Sequence, residues 1–223
     1  AARIEQWEND LPVHIKLAYL PGYGTVRLRL SGKGADEGIL KNSIDVEFEK
    51  IYPILEDIIS DINGEDEDIC ISIKKLLNAK NQFLSLAESC TGGQLATEIT
   101  KNPGASTFFK GGVVSYATQV KEDVLNVPHV LIEKNTVVSA EVAEEMARNS
   151  KLVFKSDYAI STTGNAGPDK GDSDKDVGTV FIGIATPGKV FSEEFKFGRS
   201  REQVVKKTVN KALEMLLKEL LSK

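Results

Sequence analysis

Three short segments of this 223-residue chain carry hydroxyl, amine and glycine residues in patterns that could support chemistry. In the first, LAESCTGGQLAT, Ser89, Cys90 and Thr91 precede Gly92 and Gly93. We expect FLSLA to form a strand and the residues after the glycines a helix. Free backbone N–H groups at a helix N-terminus favour a developing negative charge, and glycines allow a substrate to approach the backbone closely. A plain helix cap with a tight turn has the same composition.

The second segment, GGVVSYATQVKEDVL, places a lysine where its amine could act as a base. We expect Tyr116 to end a strand, Thr118 to cap a short helix and Lys121 to lie in the first turn. A cation there opposes the helix dipole by about 0.3–1 kcal/mol, which favours the neutral amine, although burial must supply the remainder. A neutral lysine can act as a general base. The alternative is a solvated surface lysine.

The third segment, STTGNAGPDKGDSDKDVGTV, is a predicted strand that runs into a glycine-rich loop. Thr163, Gly164, Asn165 and Gly167 offer a hydroxyl, an amide and closely approachable backbone donors. The spacing is not the dinucleotide fingerprint, so no such cofactor is expected. The charged residues 169–176 are interpreted as a hairpin turn, and they lack the spacing of an EF-hand calcium loop.

Together the three segments satisfy the requirements of acyl transfer. Ser89 would attack an amide carbonyl after Lys121 takes its proton, and backbone N–H groups with Thr163 would hold the oxyanion. Histidine is a poor candidate for the base, since His14 lies far from these segments in the sequence and His129 is interpreted as a partly buried loop residue.

The surrounding pattern predicts how these segments are positioned. From about residue 83, short apolar strands alternate with amphipathic helices, which predicts a three-layer α/β/α sandwich around a mostly parallel or mixed sheet. VGTVFIGIAT is almost continuously apolar and is expected to be a central, buried strand. KVFSEEFKF is expected at a sheet edge.

Residues 1–80 are predicted to form a small α+β module, and residues 81–223 the main domain. Within the module, residues 13–20 and 25–32 read as a hairpin around a Pro/Gly turn, and residues 46–62 as a helix. ICISIKKLLNAKN, at residues 69–81, is expected to supply a last strand and helix.

Composition excludes several classes of protein. With 28 Lys and Arg against 33 Asp and Glu, the formal charge is −5, and the chain lacks the basic stripe of a nucleic-acid binder. No apolar run reaches the roughly 18 residues of a membrane helix. Two cysteines and two histidines make a disulfide framework or a metal site improbable. Without an apolar N-terminal stretch, a cytoplasmic location is expected.

LAESCTGGQLATEIT, GGVVSYATQVKEDVL, STTGNAGP and DVGTVFIGIA, in this order, resemble the C-terminal domain of the CinA (competence/damage-inducible protein A) family. The resemblance covers about residues 80–221, and residues 1–80 resemble the family's linker module. The chain begins with Ala1 rather than Met, which is typical of a fragment. The family's N-terminal molybdopterin-binding-like domain is not expected here, nor is its ADP-ribose pyrophosphatase activity.

The resemblance implies hydrolysis of nicotinamide mononucleotide (NMN), a pyridine nucleotide, to nicotinate mononucleotide and ammonia, without a metal or cofactor. It makes Ser89 the nucleophile, Lys121 the base and Tyr116 a neighbour that orients or desolvates the lysine. Thr163 belongs to the oxyanion region, and Asn165 replaces the family's usual isoleucine. The family also implies at least a homodimer. Its phosphate-binding arginine matches Arg201, with Arg199 as a second possibility, and the substrate would further contact Thr91, Gly92, Gly93, Gly164, Asn165 and Gly167.

Two rival hypotheses remain at this point. In the first, Glu88, Cys90 and Lys121 form a set like that of nitrilases, with a thiolate as the nucleophile. In the second, the segments only hold a nucleotide, and the protein is a non-catalytic binding or regulatory module.

Overall fold

The computed structural model of the chain describes residues 2–21, 26–56, 68–171, 173–198 and 200–222. They belong to two compact units, Ala1–Asp66 and Glu67–Lys223. Among these residues, no helix combines the length and apolarity needed to cross a membrane.

The described residues of the first unit form an antiparallel hairpin and two α-helices: β1 (Ile15–Pro21), β2 (Val26–Gly32), α1 (Glu5–Asn9) and α2 (Glu37–Leu55). The strands pair from Ile15 opposite Gly32 to Pro21 opposite Val26, which confirms the predicted hairpin. Its turn falls on residues 22–25, outside the described residues. Helix α2 starts well before residue 46 because the Asp36 side chain accepts from the Ile39 N–H at 2.9 Å and caps it. Residues 57–62 of the predicted helix are not described.

The second unit is organised around a five-stranded mixed sheet with the order β4-β3-β5-β6-β7. Its strands are β3 (Leu84–Glu88), β4 (Phe109–Val114), β5 (Tyr158–Gly164), β6 (Thr179–Ala185) and β7 (Val190–Lys196). Strand β3 is parallel to both β4 and β5, whereas β5–β6 and β6–β7 are antiparallel. Strand β6 is buried throughout, as predicted, but β5 is the middle strand. The predicted edge position of β7 is confirmed.

Helices cover both faces of this sheet, which confirms the three-layer sandwich. They are α3 (Ile69–Ala79), α4 (Gln94–Thr100), α5 (Thr118–Asp123), α6 (His129–Asn135), α7 (Ala140–Phe154) and α8 (Arg201–Leu221). On one face, Leu86 and Ile160 belong to a core cluster with residues of α3, α4 and α8. On the other, Ala87 belongs to a cluster with Met146 of α7 and Ile132 of α6.

Residues 69–81 differ from the prediction of a strand followed by a helix. They form only α3, capped by the Asp68 side chain, which accepts from the Cys70 N–H at 2.9 Å. Cys70, Ile73 and Leu77 recur at helical spacing and are buried in the core of the second unit. The structure therefore divides the chain between residues 66 and 67 rather than near 80, because α3 packs with the sheet that follows it.

Helix α6 was not predicted, and His129 begins it. The expectation of a partly buried loop residue is wrong, because the His129 side chain is 64% exposed. Its Nδ1 lies 2.9 Å from a Glu122 carboxylate oxygen, and its Nε2 lies 3.2 Å from Glu133. The hydrogen bond with Glu122, and then the charges of Glu122 and Glu133, raise the pKa of His129 above its usual 6.5.

A raised pKa makes this contact pH-dependent in a definite direction. Its contribution to stability is complete below the unfolded-state pKa near 6.5 and is lost as the pH rises through the folded-state pKa. In an NMR titration of the imidazole, we expect Glu122→Gln to lower the pKa of His129 more than Glu133→Gln does. An unchanged pKa in Glu122→Gln would contradict the assignment.

Helix α7 approaches the sheet closely at Gly183. The Ser161 hydroxyl donates to the Ala143 carbonyl across the helix–sheet interface. A Cβ added at Gly183 would lie 2.5 Å from the Ala143 oxygen and 2.5 Å from Ser161 Oγ. This separation leaves no room for a side chain, so glycine is required by packing.

We therefore expect Gly183→Ala to lower the free energy of unfolding by about 1–3 kcal/mol, as overpacking does. Gly188→Ala is the matched control, because its added Cβ meets nothing within 4 Å. That change should stay within about 0.5 kcal/mol. Chemical denaturation followed by far-UV circular dichroism measures both, and equal effects would be inconsistent with the close approach.

Candidate active site

The segments after β3, β4 and β5 meet at one edge of the sheet. Glu88, the last residue of β3, lies opposite Val114 of β4 and Thr162 of β5. Because these three strands are parallel, SCTGG and SYATQVK follow the carboxyl ends of β3 and β4 beside TGNAGP, which begins within the last two residues of β5. Sites in such sheets gather at these ends. The predicted convergence is confirmed.

Ser89 and Lys121 are in direct contact at this edge. The Nζ atom of Lys121 lies 3.2 Å from the Oγ atom of Ser89. Lys121 is only 2% exposed, whereas Ser89 is half-buried, so the amine is shielded and the hydroxyl is reachable. The separation falls within the reach of a general base, about 2.6–3.2 Å.

Backbone carbonyls hold the amine in place. Nζ of Lys121 donates to the Ser115 carbonyl at 2.7 Å and to the Tyr116 carbonyl at 3.4 Å. Lys121 belongs to α5, but the residue before this helix is Ala117, without a side-chain cap, so the predicted Thr118 cap is wrong. The two carbonyls that contact Nζ belong to the segment between β4 and α5.

Glu88 occupies the end of α4 that was expected to stabilise an oxyanion. It is 1% exposed, and its carboxylate accepts from the N–H groups of Gly93, Leu95 and Ala96 at 3.0, 3.1 and 2.8 Å. These three N–H groups at the start of α4 are therefore already hydrogen-bonded to a side chain of the protein. Among the described residues, none accepts from the N–H groups of Cys90 and Thr91, the two central residues of the turn that the Gly92 N–H closes on the Ser89 carbonyl.

Cys90 does not have the environment of a reactive thiolate. It is 6% exposed and packs in the apolar core between the sheet and α8. Burial raises the pKa of the Cys90 thiol to about 12. The carboxylate of Glu88, its proposed partner, is engaged with α4. These observations disfavour the cysteine-based alternative.

Arg201, the first residue of α8, bridges two of the three segments. Its guanidinium donates to the Tyr116 hydroxyl at 2.9 Å and to the Gly167 carbonyl at 2.9 Å. Tyr116 is exposed, and its carbonyl accepts from Lys121 Nζ at 3.4 Å, so its role as a neighbour that orients or desolvates the lysine stays a prediction. Arg199, the second predicted arginine, lies outside the described residues.

Thr163 lies on the face of the sheet that carries Ser89, but its hydroxyl is engaged. The N–H of Ser89 donates to the Thr162 carbonyl, which extends the parallel ladder and sets Ser89 beside Thr163. The Thr163 hydroxyl donates to the Val137 carbonyl at 2.6 Å. Its predicted role as an oxyanion donor finds no support in this contact and stays a prediction.

Several predicted substrate contacts have structural partners. The Thr91 hydroxyl lies 2.7 Å from that of Thr162, and both are buried. At Gly164, a Cβ would lie 2.7 Å from the Thr179 carbonyl, so glycine permits the close pairing of β5 with β6. Asn165 donates to the Lys175 carbonyl at 2.7 Å and closes the loop after β5.

The other glycines leave the site accessible. Gly92 has a φ of +60° and Gly93 a φ of +94°, in the left-handed region that favours glycine. A Cβ at Gly92 would meet nothing within 4 Å, which leaves space for a ligand near the Ser89 turn. Gly167 has its carbonyl bonded to Arg201.

Sequence reasoning missed the part that Ser115 plays and assigned Glu88 only to the cysteine alternative. The direction of the Ser115 carbonyl depends on how the chain leaves β4, and no residue pattern reveals it. A signal for Glu88 was present, since it is a charged residue at the end of a strand that is buried throughout. Unpaired buried carboxylates are rare.

Comparison with known proteins identifies the family. The family model described as "CinA C-terminal domain" matches residues 66–220. This match begins at the boundary of the second unit and includes α3.

Similar proteins agree with this match. A CinA-like protein of Flavobacterium psychrophilum is 53% identical over 99% of this chain and 53% of its own length. One of Cytophaga hutchinsonii is 35% identical over 99% of this chain and 52% of its own. The chain thus spans about half the length of these curated relatives.

Solved structures of the family share the fold. The crystal structure of a competence-damaged protein (CinA) superfamily protein from Klebsiella pneumoniae has a TM-score of 0.67 at 28% identity, covering 70% of this chain and 97% of that one. Its counterpart from Escherichia coli has a TM-score of 0.64 at 31% identity, covering 70% and 93%. On this evidence the chain belongs to the CinA family.

Proposed function

We propose that the second unit is an amidase that hydrolyses the carboxamide of NMN to a carboxylate and ammonia. The observation that carries the proposal is the 3.2 Å contact between Lys121 Nζ and Ser89 Oγ, with the amine buried and the hydroxyl reachable. A serine beside a shielded amine has the parts of an activated nucleophile. The substrate is taken from the resemblance to the CinA family and not from the geometry.

The surroundings of the amine match the work of a general base. A neutral amine carries two hydrogens and one lone pair. The Ser115 and Tyr116 carbonyls accept hydrogens from Nζ, and Ser89 Oγ lies 3.2 Å from the same atom. In this arrangement the Ser89 hydroxyl donates its proton to Nζ as Oγ attacks the carboxamide carbon.

Each later step has a matching group. The ammonium of Lys121 returns its proton to the departing nitrogen, so that ammonia leaves and an ester remains on Ser89. Water then hydrolyses that ester with the same amine as base. The N–H groups of Cys90 and Thr91, for which no acceptor lies among the described residues, are the nearest backbone donors in sequence for the oxyanion.

Arg201 is suited to the phosphate of a nucleotide. Its exposed guanidinium uses one hydrogen for Tyr116 and one for Gly167, out of the five that an arginine carries. Donors remain for an anion at the mouth of the site, and Arg201 holds the base-bearing segment near the loop after β5. We expect a homodimer or larger assembly only by analogy with the family.

The first test is removal of the nucleophile and of the base. We expect Ser89→Ala and Lys121→Met each to lower the kcat for ammonia release from NMN by at least about 10³-fold, as loss of such residues does elsewhere. Lys134→Met is the matched control, because Lys134 is exposed on α6, and it should leave kcat unchanged. Circular dichroism establishes that each variant is folded.

Three other outcomes of this assay would count against the proposal. Binding of NMN without turnover, indifferent to Lys121→Met, would favour a non-catalytic binding module. If Ser89→Ala retains activity, Ser89 is not the nucleophile. Inhibition by a chelator would contradict a metal-free reaction.

The cysteine alternative predicts a different result. Because burial holds the pKa of the Cys90 thiol near 12, we expect almost no thiolate at pH 7, and Cys90→Ala should keep kcat within about threefold of the wild type. The same ammonia assay measures this. An inactive but folded Cys90→Ala with an active Ser89→Ala would reverse the assignment.

A further inference from the structure

We propose that Glu88 is the positioning residue that holds Ser89 and Lys121 against each other. The inference deepens the proposed function and rests on it. Glu88 lies directly before Ser89, yet its side chain points to the opposite face of the sheet, where it meets α4. Its carboxylate holds the backbone that follows Ser89, and its carbonyl holds the backbone that precedes Lys121.

The carboxylate fixes the turn that carries the nucleophile. Its two oxygens accept from Gly93, Leu95 and Ala96, the N–H groups at the start of α4. The residue before α4 is Gly93, which has no side chain to cap the helix. Without Glu88 these donors would be left unsatisfied, and all three belong to residues that are buried or partly buried. The Glu88 carboxylate therefore ties the end of β3 to the start of α4 and fixes both ends of the turn at residues 89–93.

The carbonyl of Glu88 fixes the segment that carries the base. It accepts from the Ser115 N–H at 2.7 Å and lies 3.3 Å from the Ser115 hydroxyl. The Ser115 carbonyl in turn accepts from Lys121 Nζ at 2.7 Å. One residue thus anchors the nucleophile turn with its side chain and the lysine's acceptor with its main chain.

A carboxylate is needed because all three contacts require acceptors. Charge-assisted hydrogen bonds are about twice as strong as neutral ones, which offsets the cost of burying the charge. An amide of the same shape has one oxygen and one NH₂ group. At least one backbone N–H would then face another donor, and the turn would have to move.

The test compares Glu88→Gln with Ser85→Ala in the full 223-residue chain. Ser85 lies on the same strand and is fully buried, and its hydroxyl contacts Ser150 at 2.9 Å and Ser156 at 2.8 Å, away from the active edge. Both variants lose a buried hydrogen bond of β3. Measurements are Tm, kcat and KM for ammonia release from NMN, and a crystal structure of each variant.

For Glu88→Gln we expect kcat to fall about 100-fold, as it does when reacting groups are displaced by about 1 Å, with KM within about threefold of the wild type. The Ser89 Oγ to Lys121 Nζ separation should exceed its present 3.2 Å by at least about 1 Å. For Ser85→Ala we expect kcat within about twofold and an unchanged separation.

Two results would overturn the proposal: a retained Ser89–Lys121 contact in Glu88→Gln, or a loss of kcat no larger than in Ser85→Ala. If Glu88→Gln does not fold, Glu88→Asp replaces it, since a shorter carboxylate keeps the charge but cannot reach all three N–H groups. If the wild type releases no ammonia, the proposed function fails, and the crystallographic separation alone decides the positioning role.

Discussion

A primary amine held out of water against a serine hydroxyl is the contact around which the active edge of this protein is built. The local structure around Lys121 and around Ser89 is not enough to fix the position of either side chain. Helix α5 is too short, and too poorly capped, to fix a lysine by itself, and Ser89 lies in a turn between β3 and α4. Three adjacent parallel strands bring the two segments together, and backbone carbonyls and N–H groups then set the distance between Nζ and Oγ.

Several polar side chains at this edge of the sheet are bonded to the protein itself. The hydroxyls of Thr91 and Thr162 satisfy each other, Thr163 holds the Val137 carbonyl, and Asn165 closes the loop after β5. Each lies in a motif that reads as substrate-binding in the sequence. In the structure their recorded contacts stabilise the loops that surround the Ser89–Lys121 pair. Of the described residues, those of the Ser89 turn offer backbone N–H groups there, and Arg201 offers its guanidinium.

Much of this architecture was predictable, because the main elements have strong periodicity. The strands of the sheet, the helices between them and the convergence of three motifs follow from the alternation of apolar runs with amphipathic segments. The failures have local causes. ICISI alternates like a strand, but Cys70, Ile73 and Leu77 bury one helical face. Thr118 has the type of a cap, yet the residue before α5 is Ala117.

The finer geometry of the site could not be predicted, because it is made largely by the main chain. A carbonyl belongs to every residue, so the sequence does not mark Ser115 as the acceptor for Lys121. Cys90 and α4 lie on the same side of β3 as the Glu88 side chain. Only the hydrogen bonds of the carboxylate show that Glu88 contacts the helix end.

Arg201 connects the long C-terminal helix α8 to two of the segments that form the candidate site. As the first of the 21 residues of α8, it sits at the tip of a rigid rod of about 30 Å whose flank packs on the sheet. The same guanidinium is tied to the tyrosine and glycine at the rim. A small tilt of α8, imposed anywhere along its length, would therefore displace this guanidinium and with it the contacts to Tyr116 and Gly167.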